Sequence, residues 1–196
     1  MSVKRKPVLV GQQEFGAIYD GVARNVAQWI QRGQLDYSEA VIVSGRAYWT
    51  LGFAVAQGER FARTKEPNMG VVEQLVEEQS PGRGLVSALT VQRADLPPIV
   101  GQQEIAAMVG EDPAAFLPRL SAAIKASAFP GPDWSLSGSP LWLLSSASDG
   151  LESTGRFSRV KSKAPEINGE VVEALKSGRY DGPGSKILTR GVKKKS

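Results

Sequence analysis

The chain of 196 residues has no cysteine and no histidine. Without cysteine there is no disulfide framework and no thiolate-bound zinc. Without histidine the commonest general base and the commonest metal ligand are both missing. Ser-His-Asp and Cys-His catalysis are therefore excluded. The carboxylates show no spacing that singles out a pair; Glu77 and Glu78 are neighbours, and adjacent helical residues point apart. Gly182-Pro183-Gly184-Ser185-Lys186 lacks the Gly-Lys-Ser/Thr ending of a phosphate loop. No apolar run approaches the roughly 20 residues that cross a bilayer. The basic start, Met1 to Lys6, leads into Val8 to Gly11, which is too short for a signal-peptide core. These absences predict a cytoplasmic protein that is not an enzyme, with no metal, no cofactor, no membrane and no small-molecule substrate.

What is present is a strong segregation of charge. Residues 1–65 carry nine Lys/Arg against five Asp/Glu, residues 66–154 four against eleven, and residues 155–196 eleven against four. The net +4 of the chain thus hides a basic head and a basic tail around an acidic middle. Such ends either meet a polyanion or are simply solvated.

The chain is also written twice. Pro7-Val8-Leu9-Val10-Gly11-Gln12-Gln13-Glu14-Phe15 returns as Pro97-Pro98-Ile99-Val100-Gly101-Gln102-Gln103-Glu104-Ile105, 90 residues later. Val43-Ser44-Gly45 and Trp49 return as Leu136-Ser137-Gly138 and Trp142, now 93 apart. Val71-Val72-Glu73-Gln74-Leu75 becomes Val171-Val172-Glu173-Ala174-Leu175, and Pro81-Gly82 becomes Pro183-Gly184. The echoes keep their order while the offset only grows, as small loop insertions would cause.

In the first copy, Gln12 to Tyr19 reads as a short helix with Phe15 and Ile18 on one stripe, and Asp20-Gly21 as a turn. A second helix is expected from about Val22 to Arg32, stopped by Gly33. Val22, Val26, Trp29 and Ile30 fall on its apolar side. Ala40 to Val43, a Ser44-Gly45-Arg46 turn, and Ala47 to Leu51 read as a β-hairpin. The helix ending in Trp29-Ile30-Gln31-Arg32-Gly33, the Gly-Arg hairpin and the aromatic strand after it resemble the excisionase/MerR-type winged helix-turn-helix. The resemblance covers residues 7–60 and, more loosely, 97–152. It implies a mainly α fold with small hairpin wings, two units in tandem. It also implies double-stranded DNA as the partner, with the second helix in the major groove, the wing on the backbone, and a nucleoid-associated location.

The residue chemistry in copy one suits this, though the same residues would also make an ordinary polar outer face. Arg pairs with guanine, and Asn or Gln with adenine, through bidentate hydrogen bonds. Arg24, Asn25, Gln28 and Gln31 are candidates for the reading face, with Arg32 and Arg46 placed for phosphate. Lys4, Arg5 and Lys6, and Lys193, Lys194 and Lys195, form basic arms that would follow a phosphate backbone or serve solubility alone. Trp29, Trp49 and Trp142 read as core residues. Gln12-Gln13 and Gln102-Gln103 either start their helices or expose backbone N–H groups to phosphate.

Copy two keeps the apolar stripe, here Phe116, Leu120 and Ile124, behind Asp112 as N-cap and Pro113 at the first helical position. Its aligned outer positions are Ala114, Ala115 and Pro118, none able to read a base, and Pro118 should strain the helix. Ser139 replaces Arg46, while Glu111, Asp112 and Asp133 would repel phosphate. Ala114, Pro118 and Ala122 are the candidate protein-contact face, for a second copy of the chain or another protein. The expected layout is copy one at 1–65, a linker with a short helix at 66–94, copy two at 95–155, and a basic segment at 156–196 with a helix near 168–177. The expected function is a DNA-binding regulatory or architectural protein of phage, plasmid or bacterial origin, with a phage structural or packaging protein as the alternative.

Overall fold

The computed structural model describes residues 6–153 and 166–188. The first repeat runs β1 (Leu9–Val10), α1 (Gln12–Ile18), α2 (Ala23–Gln31), β2 (Val41–Val43), β3 (Arg46–Thr50), α3 (Leu51–Ala56), α4 (Met69–Gln79) and α5 (Leu85–Leu89). The second runs β4 (Ile99–Val100), α6 (Gln102–Met108), α7 (Pro113–Lys125), β5 (Trp134–Leu136), β6 (Ser139–Leu143), α8 (Leu144–Ser153) and α9 (Gly169–Lys176). This is an α+β chain with small sheets, each antiparallel along its β1–β3 or β4–β6 pairing and ordered β1-β3-β2 and β4-β6-β5.

The duplication holds at the level of single hydrogen bonds. Leu9 pairs with Thr50 and Val10 with Trp49, while Ile99 pairs with Leu143 and Val100 with Trp142. Leu51 N donates to Val8 O at 3.1 Å and Leu144 N to Pro98 O at 2.9 Å, so each hairpin strand turns into a helix at the same place. Leu51, expected to continue its strand, instead opens α3, because Thr50 Oγ1 accepts from Phe53 N and caps a helix there. Asn68 N reaches Ile18 O and Asn168 N reaches Met108 O, both at 2.7 Å, and both asparagine side chains cap the helix that follows. The third echo is therefore a helix, as expected, that packs on the first helix of its own repeat, α4 on α1 and α9 on α6.

In place of contiguous modules at 1–65 and 95–155, the compact units are discontinuous in sequence. One holds the described residues of Met1–Val41 with Ala47–Leu96 and Trp134–Ser139; the other holds Ile42–Arg46, Pro97–Asp133 and the described part of Pro140–Ser196. Each unit thus includes the hairpin turn of the other repeat.

The first unit is centred on aromatic packing. Phe15 meets Trp49 edge to face at 5.3 Å between ring centroids, and Trp29 lies 4.6 Å from Phe61. Trp134, arriving with the borrowed turn, is buried and donates its Nε1–H to Pro7 O at 3.0 Å. The outer edge of β1 is closed by Gln79, whose amide accepts from Leu9 N at 2.9 Å and donates to Leu9 O at 2.8 Å. The second unit packs Val100, Ile105, Met108, Phe116, Leu120, Trp142 and Leu151 in its core, with α9 supplying Val172 and Leu175. Trp29, Trp49 and Trp142 are buried, as expected.

The borrowed turns explain the glycine and the glutamate of the repeated phrase Val-Gly-Gln-Gln-Glu. Helix α1 has Gly11 as its N-cap residue, so no side chain of its own can accept from the first-turn N–H groups. Ser137 supplies one: its Oγ accepts from Gln13 N at 3.0 Å. That hydroxyl donates to Glu14 Oε2 at 2.7 Å, Ser137 N donates to Glu14 Oε1 at 2.8 Å, and Gly11 N donates to Glu14 Oε2 at 3.0 Å. In the other unit Ser44 Oγ accepts from Gln103 N at 3.1 Å and donates to Glu104 Oε2 at 2.7 Å. Ser44 N and Gly101 N donate to the same carboxylate at 2.7 and 3.0 Å. This is a capping box whose serine comes from the other repeat. Glycine is required at 11 and 101 because an added Cβ would collide with the incoming serine hydroxyl. The serines reach in from turns with positive φ at both central residues, 48° and 76° at Ser44-Gly45 and 48° and 74° at Ser137-Gly138. Nothing in the structure explains the identity of the four glutamine side chains.

Glu104 is 2% exposed and Glu14 is only half-buried. Glu104→Ala strands the half-buried Ser44 and the buried Gly101 N–H groups and should lower stability by about 3 kcal/mol, with Glu14→Ala costing about 2 kcal/mol. Urea unfolding of the two variants checks both the size and the order.

Candidate nucleic-acid interface

The turn between α1 and α2 in the first repeat brings the two helices close together. A Cβ on Gly16 would lie 2.6 Å from the Val22 carbonyl carbon, so α1 and the start of α2 approach backbone to backbone. Asp20 takes the left-handed conformation at φ 53°, and Gly21 N bonds Gly16 O at 2.9 Å. Val26 and Trp29 face the core, which turns Arg24, Gln28 and Gln31 outward, with Arg32 as the C-cap residue. Arg24, Gln31 and Arg32 are exposed and Gln28 is half-buried.

Two residues differ from their expected roles. Asn25 is half-buried, and its Oδ1 accepts from Val22 N at 2.8 Å, so its carbonyl serves the helix start. Val22, placed by its spacing on the apolar side, is instead the N-cap residue and is 63% exposed. Sequence periodicity counts a residue at the helix boundary as helical, whereas the cap conformation swings it off the stripe.

The wing is also placed differently from the expectation. The Ser44-Gly45 turn lies against Glu104, and Gly45 N donates to Gly184 O at 2.8 Å while Leu188 N donates to Gly45 O at 3.0 Å. The side chain of Leu188 occupies the space a Cβ on Gly45 would need. The tip of this hairpin is therefore inside its unit, and only Arg46, just beyond it, is exposed. The N–H groups of Gln13 and Gln103 are likewise taken by serine hydroxyls, which removes them as phosphate donors.

Lys6 is half-buried, its Nζ 5.4 Å from the centroid of the Trp134 ring. Lys4, Arg5, Lys193, Lys194 and Lys195 lie outside the described residues. In the second repeat Ala114, Pro118 and Ala122 are exposed along one face of α7. That helix runs unbroken through Pro118; the hydrogen bond it forfeits would have gone to the carbonyl of exposed Ala114, which water can reach. The acidic groups there have structural duties. Asp112 Oδ2 accepts from Ala115 N at 3.3 Å, Asp133 Oδ2 accepts from Leu143 N at 2.8 Å, and Glu111 pairs with Arg119. Among the described residues no group of carboxylates is arranged to hold a metal, and no helix is long and apolar enough to cross a membrane.

Tyr19, the C-cap residue of α1, donates its hydroxyl to Ala54 O at 2.7 Å. Burial, with some help from the Glu59 carboxylate and against the Gly58 N–H, pushes its phenol up to about 12. Burial and then Glu104 push Tyr180 up to about 12 as well. Because the folded state keeps both protons where the unfolded chain releases them near 10, stability should be full below pH 10 and fall as pH rises through 12. Phenolate absorbance against pH, with Tyr19→Phe as the reference, checks the first of these titrations. Comparison with family models, curated proteins and solved structures gave no match for this chain.

Proposed function

We propose that the first repeat is a helix-turn-helix that docks on double-stranded DNA through α2, and that the second repeat mediates protein contact. The observation that carries this reading is the divergence of one helix face on a shared scaffold. Arg24, Gln28, Gln31 and Arg32 point away from the core of repeat one, and the aligned positions of repeat two are Ala114, Pro118, Ser121 and Ala122. Arginine and glutamine on an exposed second helix have the donors and acceptors that base edges require. Arg46 and the basic ends add phosphate contacts that position without specifying. Asn25 serves in this reading as a support for the helix start. The protein would act in regulation or in the architecture of recombination, replication or segregation, in a phage, plasmid or bacterium, and it resembles the excisionase/MerR type in its helices more than in its wing.

The engagement of the Ser44-Gly45 turn favours a second reading, an assembly or packaging protein of a phage. In it the same helices make protein–protein contacts, because a turn engaged with Glu104 offers no protruding wing to a groove.

Gel shift on random duplex DNA separates the two. The double variant Arg24→Ala with Arg46→Ala should bind about tenfold or more weakly at unchanged helicity, whereas a wild-type chain that binds no duplex supports the assembly reading. Deleting residues 191–196 removes three lysines. It should shallow the log–log salt dependence of binding by up to about 3.

A further inference from the structure

Val22 stands where the fold has reason to prefer another residue. Asp, Asn, Ser and Thr are favoured at an N-cap because their side chains accept a first-turn N–H, and valine is among the poorest choices. The second repeat follows the rule with Asp112, whose carboxylate accepts from Ala115 N. The first repeat breaks it, and Asn25 offsets part of the loss by turning its Oδ1 back onto Val22 N. Burial gives no compensation, since Val22 is 63% exposed. Neither capping nor core packing accounts for this side chain. A local rule broken at an exposed position, two residues before exposed Arg24, is the pattern of a contact residue.

We infer that Val22 contacts a base edge in the major groove, its two methyls resting on the 5-methyl of a thymine beside the base pair that Arg24 reads. This inference rests on the DNA reading of repeat one. Thymine is the base that offers an apolar group in that groove, and a branched aliphatic side chain with no hydrogen-bonding atoms matches that group and no other base edge. Charge agrees: Arg24 follows two residues after Val22, whereas in repeat two Asp112 and Ala114 occupy the same places. Asn25 is then a positioning residue, fixing the backbone from which Val22 projects.

The test uses the full chain and a duplex enriched by it from random sequence. Each thymidine of that duplex is replaced in turn by deoxyuridine, which removes the methyl group and nothing else. Wild type should lose roughly fourfold in affinity at one position, the worth of a single apolar carbon, and Val22→Ser should be indifferent there. The same variant should melt at a higher temperature than wild type, because serine restores the missing cap. Uniform tolerance of deoxyuridine by wild type, or undiminished sensitivity in Val22→Ser, overturns the inference while leaving the DNA reading intact. Absence of any duplex binding by wild type overturns both.

Discussion

Glu14 and Glu104 each receive a serine hydroxyl, that serine's N–H and a glycine N–H, and the serine comes from the hairpin turn of the other repeat. Much else in the chain is arranged so that these two contacts can form. The helices begin on glycine because a side chain there would fill the space the serine enters. The turns use Ser-Gly because both central residues must adopt positive φ and one of them must carry a hydroxyl. Each carboxylate gathers three N–H or O–H donors, two of them from the incoming serine. Two short stretches kept nearly identical in both repeats, Gly-Gln-Gln-Glu and Ser-Gly, are thus the two sides of one interaction made twice.

That constraint also limits where function can lie. Hairpin tips engaged in capping are not available as protruding wings, and helix starts whose N–H groups are filled do not bind phosphate. Outer faces of the second helices are exempt from the constraint, and these are what diverged. The first repeat carries Arg24, Gln28, Gln31 and Arg32 there, and the second carries alanine, proline and serine. The core beneath is conserved in pattern but not in bulk, with Phe15, Ile18 and Val26 answered by Ile105, Met108 and Phe116. Scaffold and surface have therefore been under different demands.

Much of the secondary structure was legible in the sequence because it follows from local rules. The 3.6-residue stripes placed α1 and α2 within a residue or two, Asp112-Pro113 fixed the start of α7, and Ser-Gly marked both turns. The exchange of turns was not legible. Both repeats carry the same glutamate and the same serine, so the pattern is equally compatible with each turn closing on its own repeat or on the other. Asn68 and Asn168 form an aligned pair of caps ahead of α4 and α9. At the candidate interface the types of residue were readable and their duties were not. Asn25 serves the helix start and Val22 stands exposed at the N-cap, because a helix boundary obeys cap geometry and not periodicity.

The most direct measurement of the exchange is to open the chain between the repeats. Gln92, Arg93, Ala94 and Asp95 are exposed, so a protease site inserted there can be cut in the folded protein. If each repeat's turn completes the other's unit, the two cleaved halves will elute together under native conditions and unfold in a single transition, separating only in denaturant. Halves that part without denaturant and keep their own structure would mean that each turn closes on its own repeat, contrary to this account.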